Sequence, residues 1–226
     1  MFEKEKLEVI KTGILLDRYD LIALSGGNVS WRLDDGHILV TPSGMIYEDL
    51  EAGDILVLDI DGNIIEGARR PSVDTEALLY IYQKRPDIKA IIHTHQPYAT
   101  ALSLVSDEFK VNLTTLANGT QGNVKVTPFS SAASIDMGID TVEYIGDTLA
   151  VILRHHGVIA VGDSLKQALY ACVYLEEAAK TYIAAKSIGE PRMMSDAQIE
   201  QAVNVFKYYG QGKAEMPKDV VKRIDA

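Results

Sequence analysis

AIIHTH (90–95) is three apolar residues followed by two histidines placed two apart, with Gln96-Pro97 closing the run. Short β-branched runs bounded by Pro, Gly or Asp read as strands. Along a strand, residues i and i+2 lie on one face about 7 Å apart. His93 and His95 therefore present both imidazoles to one side of a strand end.

The pattern repeats outward from this run. HILVT (37–41), ILVLD (55–59), VKVTP (124–128) and AVILR (150–154) share the same composition and the same bounding residues. Asp61-Gly62-Asn63, between two apolar runs, is a hairpin signal. Leu7, Ile10 and Ile14 predict a helix over 3–17, and 74–85, 97–105 and 134–145 read as helices between strands. Over 165–187, Leu165, Ala168, Leu169, Cys172, Leu175, Ala179 and Tyr182 make one apolar helical face, which Gly189 and Pro191 end. Ser195 through Gln198 has the form of a capping box opening a last helix to about Tyr208. Strands alternating with helices imply an α/β domain, and the hairpin signal favours a mixed sheet over a parallel one. With no repeat or linker, residues 1–226 read as one domain. The polar stretch 211–226 reads as a mobile flap or a disordered tail.

Composition narrows the partners. The chain has 226 residues, a formal net charge of −10 and no Lys/Arg run longer than two, which excludes a basic face for nucleic acid. An anionic ligand would have to be held by local N–H and hydroxyl donors. Cys172 is the single cysteine, so no disulfide forms within the chain; its helical setting marks it as a small buried hydrophobe. The charged start, MFEKEKLEVI, lacks the apolar stretch of a signal peptide, and no segment has the length to span a bilayer. A cytoplasmic protein without a membrane partner is expected.

His156 follows the apolar run 149–153 and precedes Gly157, a residue that permits a sharp turn or close backbone approach. With His93 and His95 it supplies three imidazoles and leaves a coordination position open, the pattern of a catalytic divalent metal. Zinc is the first candidate, manganese and cobalt the alternatives. A lone strand-end histidine is more often structural or solvated, and in the His155-His156 pair either ring can be the ligand. His37, in a polar turn, is assigned to the surface. Asp74 opens the 74–85 helix, where an N-cap role explains it. Beside a metal the same carboxylate would ligate the ion or shuttle a proton. Ser25-Gly26-Gly27-Asn28-Val29-Ser30 and Thr41-Pro42-Ser43-Gly44 have the composition of anion cradles, although such turns are mostly just turns. Neither matches a nucleotide-binding fingerprint.

Taken in order, GGNVS (26–30), TPSG (41–44), PSVDT (71–75), HTH (93–95) and HHG (155–157) resemble the class II aldolase/adducin family, from the first helix to Tyr209-Gly210-Gln211. The resemblance implies a three-layer α/β/α fold with a central mixed sheet, and a homotetramer with active sites at subunit interfaces. It implies a divalent ion, usually zinc, on His93, His95 and His156. It also implies a small phosphorylated sugar whose phosphate meets Gly27, Asn28, Ser43, Gly44, Ser72 and Val73. Asp74 matches the family's acidic position, and Tyr209 a tyrosine reaching a neighbouring subunit's site. Val73 replaces a second serine found in many members. Asn118 stands where 4-epimerases carry a catalytic aspartate, the histidine they carry before the C-terminal tyrosine is missing, and only Thr114 or Thr115 stands where aldolases carry a tyrosine. The stretch 109–137 is thus atypical for both activities. The expectation is a metal-dependent aldolase that cleaves an L-fuculose-1-phosphate-like ketose phosphate through an enediolate, with Asp74 and Tyr209 catalytic. An L-ribulose-5-phosphate 4-epimerase activity is the alternative, and a non-catalytic adducin-like module a third reading.

Overall fold

Residues 1–206 and 208 are described by a computed structural model. Tyr209 and the stretch 211–226 lie outside the described residues. The chain runs α1 (Glu3–Arg18), β1 (Asn28–Arg32), β2 (Ile38–Val40), β3 (Leu56–Leu58), β4 (Ile64–Glu66), α2 (Thr75–Lys84), β5 (Ala90–Thr94), α3 (Pro97–Leu102), β6 (Glu108–Phe109), α4 (Thr114–Thr120), β7 (Val124–Lys125), α5 (Ile135–Ile145), β8 (Ala150–Leu153), β9 (Gly157–Gly162), α6 (Leu165–Ile188) and α7 (Asp196–Phe206).

Seven strands form the main sheet in the order β4-β3-β2-β1-β5-β9-β8, with β6 and β7 paired separately. Among the described residues every ladder is antiparallel, and the one parallel pairing is the isolated bridge of Val126 to Ile152. The Asp61-Gly62-Asn63 hairpin forms as expected between β3 and β4. VKVTP makes a ladder only over Val124–Lys125, because the next residues turn to β8, with Thr127 N–H bonded to the Ile152 carbonyl at 2.9 Å.

Parity along the central strands builds the three layers. Ala90 and Ile92 of β5 pack into one core with Val158 and Ala160 of β9 and Ala150 and Ile152 of β8. This core is covered by α1, α3, α4 and α6. Ile91, Ile159, Val161, Val151 and Leu153 face the opposite core, covered by Leu78, Ile81 and Tyr82 of α2 and Met137 of α5. Both faces of β5 are fully buried, and each of its isoleucines contributes about 2 kcal/mol over exposure. The same alternation carries His93 to the side of Ile91, the side on which α2 and α5 lie.

Several elements go beyond the sequence reading, the short β6 (Glu108–Phe109) among them. Residues 28–32 form the strand that joins the two halves of the sheet, β9 returns from β8 after a tight turn, and 114–120 is helical. The helix expected over 97–105 ends at Leu102. The capping box is made: Ser195 N–H donates to Gln198 Oε1 at 2.8 Å, and Gln198 N–H to Ser195 Oγ at 3.4 Å. No helix among the described residues is long and apolar enough to cross a membrane.

Candidate metal centre and anion cradle

His93 is the last residue but one of β5, and His95 lies just past the strand's end. His156 sits in the turn joining β8 to β9, whose strand β9 is bonded directly to β5. The three rings meet: one nitrogen from each lies within 4.8 Å of the others, and the Nε2 atoms of His93 and His95 are 3.1 Å apart. Two nitrogens on one tetrahedral zinc stand about 3.3 Å apart at the usual bond length. The donor set therefore fits a divalent ion.

The buried His93 Nδ1–H donates to the Val158 carbonyl at 2.9 Å, which leaves the Nε2 lone pair facing the cluster. Burial pushes the His93 pKa down to about 3, with His95 and His156 adding like-charge repulsion. Burial also lowers His95 and His156, although the Asp74 carboxylate works against the shift at both. The rings are thus held neutral near pH 7, the form that binds metal.

His155 takes no part. It adopts a left-handed φ of 59°, is exposed, and is pinned by its N–H to Ser103 Oγ at 3.0 Å. Arg154, one residue earlier, ties the same turn to the carbonyls of Thr127 and Ser103. Of the His155-His156 pair, His156 is the ring that joins His93 and His95. Gly157 is required at the turn because a Cβ there would stand 2.1 Å from the Thr94 carbonyl oxygen.

Asp74 occupies the N-cap position of α2 but makes no side-chain cap. Its buried carboxylate instead accepts from Asn28 Nδ2 at 2.8 Å through Oδ2 and from Ala133 N–H at 3.2 Å through Oδ1. Asn28 lies across the ladder from His93. With Nδ2 assigned to Asp74, its buried Oδ1 has no partner among the described residues, an acceptor that a ligand hydroxyl can satisfy.

The hydroxyl- and glycine-rich segments close around this point. Gly27 has φ +72°, and a Cβ there would lie 2.4 Å from the His93 carbonyl oxygen. Val29 N–H donates to Thr41 Oγ1 at 3.2 Å, joining the first segment to the second. A bridge between Pro42 and Pro71 then joins the second to PSVDT, with Ser43 N–H to the Arg70 carbonyl at 3.0 Å and Ser72 N–H to the Thr41 carbonyl at 3.1 Å. Gly27, Asn28, Ser43, Gly44, Ser72 and Val73 thus belong to one connected patch beside the histidines. Ser72 is buried, whereas Val73 and Gly44 are exposed.

Other expected positions fall elsewhere or outside. Asn118 of α4 lines a separate cavity of about 250 Å³ with Gln121, Ser164 and Lys166. Tyr209 lies outside the described residues. The backbone groups of Ala133 and Val158 were not foreseen. A main-chain donor or acceptor leaves no mark in side-chain spacing, although Ala133's left-handed φ of 61° shows how its N–H is aimed.

Comparison with known proteins agrees with this geometry. The profile of the class II aldolase and adducin N-terminal domain matches residues 7–183. A 5-deoxy-D-ribulose 1-phosphate aldolase of Bacillus thuringiensis serovar kurstaki is 32% identical over 93% of this chain and 99% of its own length. The L-fuculose phosphate aldolase of Escherichia coli K12 is 30% identical over 92% and 97%. A solved L-fuculose 1-phosphate aldolase superposes with a TM-score of 0.85 at 33% identity, covering 90% of this chain and 96% of that one. The chain belongs to the class II aldolase and adducin family and stands among its enzymes.

Proposed function

We propose that this protein is a divalent-metal-dependent aldolase that splits a small ketose 1-phosphate into dihydroxyacetone phosphate and an aldehyde. The observation that carries the reading is the convergence of three neutral imidazoles beside a buried carboxylate that caps no helix. The named relatives, a 5-deoxyribulose 1-phosphate aldolase and L-fuculose phosphate aldolases, support the substrate class.

His93, His95 and His156 would hold the ion, zinc first, which supplies a Lewis acid toward the substrate's carbonyl and neighbouring hydroxyl oxygens. The chain does the rest. Gly27, Asn28, Ser43, Gly44, Ser72 and Val73 take the phosphate through N–H and hydroxyl donors. As the C3–C4 bond breaks, its electron pair stays with C3 and the C4 hydroxyl loses its proton. The Asp74 carboxylate takes up that proton and returns it to C3, so the step neither gains nor loses a proton. Tyr209 from an adjacent copy serves the aldehyde end in a cytoplasmic homotetramer.

The aspartate of PSVDT favours a 4-epimerase as the second reading, and Asn118 weighs against it, since an amide cannot transfer the second proton at neutral pH. Incubation of metal-loaded protein with ketose 1-phosphates and with L-ribulose 5-phosphate separates the two. Triose phosphate released from a ketose 1-phosphate is the expected result. Xylulose phosphate formed without any triose fragment overturns it.

A further inference from the structure

The cradle described above is assembled from neutral donors, yet it belongs to a protein of net charge −10 and is assigned a phosphate ester carrying nearly two negative charges. The geometry of the Pro42–Pro71 bridge identifies a cation to offset that repulsion. The two backbone bonds that flank the bridge, Ser43 N–H to Arg70 and Ser72 N–H to Thr41, make it antiparallel with the prolines as the non-bonded pair. Ser43 then stands opposite Arg70, and Thr41 opposite Ser72. Cross-strand partners share a face, and residues i and i+2 share a face. Thr41, Ser43, Arg70 and Ser72 therefore project from one side, and the two prolines from the other.

Along that face burial falls from Thr41 and Ser72, both buried, through Ser43, half-buried, to Arg70, exposed. Arg70 is thus the outermost member of a row whose inner members are the hydroxyl donors. Its neighbour Arg69 is committed to Asp54 at 2.7 Å. Among the described residues the Arg70 guanidinium makes no hydrogen bond or ion pair. We propose that Arg70 is a substrate-binding residue that closes on the phosphate ester at the mouth of the cradle. The assignment rests on the aldolase reading for the identity of the ligand, and on the bridge for the residue. A planar guanidinium suits this task, since its paired N–H groups match two phosphate oxygens at once.

Calorimetric binding of dihydroxyacetone phosphate and of unphosphorylated dihydroxyacetone to metal-loaded wild-type, Arg70→Ala and Arg70→Lys proteins tests this without any turnover. Arg70→Ala should lose about tenfold or more in affinity for the phosphorylated probe, the scale of a charge-assisted hydrogen bond, and nothing for the other. Arg70→Lys should keep part of the preference. In kinetics the loss should appear in KM, with kcat within about twofold. An unchanged preference for the phosphorylated probe in Arg70→Ala overturns the assignment. A protein that binds dihydroxyacetone phosphate through Arg70 but releases no triose from ketose phosphates upholds the residue and sinks the aldolase reading instead.

Discussion

The histidine cluster and the anion cradle adjoin each other, yet they are made in opposite ways. The cluster is built from side chains whose positions follow from sheet register: His93 and His95 at the end of β5, and His156 on the turn entering β9, the strand bonded to β5. The cradle is built from main chain, bent by Gly27 and Gly44 at φ +72° each and stitched by the Pro42–Pro71 bridge. Changes of side chain should disable the first without unfolding anything, whereas the second is sensitive to backbone conformation. Asp74 and Gly27 lie at the seam, one bonded to Asn28 and facing His95 and His156, the other packed on the His93 carbonyl.

Removing His93 is the hardest blow to the cluster. His93→Ala should strip the bound ion and lower kcat/KM by at least about 1000-fold, the loss of several kcal/mol of charge stabilisation. Elemental analysis and steady-state kinetics check it. If the two regions are separately built, dihydroxyacetone phosphate should still protect the variant against heat, and loss of that protection would merge them into one unit. At the seam, Asp74→Asn should cost about 100-fold or more in kcat, within the range of a proton-transfer group, while metal content holds. A variant that loses metal in proportion to activity would recast Asp74 as a ligand.

Gly27→Ala acts on backbone. A left-handed φ and a Cβ 2.4 Å from the His93 carbonyl should destabilise the fold by about 2 kcal/mol, seen as a Tm lower by about 4–8 °C for a chain of this size. A Tm within a degree of wild type would show that the β1–β5 junction yields easily. The smallest effect expected is one of pH on metal-free protein. The His93 pKa is lowered from 6.5 to about 3, so between those values the unfolded chain takes protons that the folded cluster refuses. Stability then rises with pH across that window and is fully present above about 6.5. Metal-free wild type should melt about 4 °C lower at pH 5 than at pH 7, and His93→Asn should show a smaller difference. Equal slopes for the two proteins would remove His93 from the account.

The same contrast explains what the sequence made legible. Side-chain periodicity carries the strand at 90–94, the long helix at 165–188 and the shared face of His93 and His95, because each depends on residues two, three or four apart. Asn28 hid β1: its place in a glycine-rich turn reads as cradle, and it is both cradle and first residue of a strand. β9 hid because GVIAVG, buried on both faces, alternates no polar residues at all. The short helix 114–120 contains three threonines, an asparagine and a glycine, none a strong helix former, and stands by packing on α6. The partners of Asp74 were out of reach for another reason. Asn28 and Ala133 are 46 and 59 positions away, and only the sheet and the packing of α5 on α2 bring them there.

His155 and His156 are chemically identical neighbours separated by one backbone torsion, φ 59° at the first. That torsion sends one ring outward beside Phe129 and the other inward to its two fellows. A reagent that acylates imidazoles will therefore meet His155 early and His93 late, so a plot of residual activity against modified histidines should begin with a plateau. The outward ring acts as a built-in decoy, and counting its loss as damage would misjudge how many imidazoles the chemistry needs.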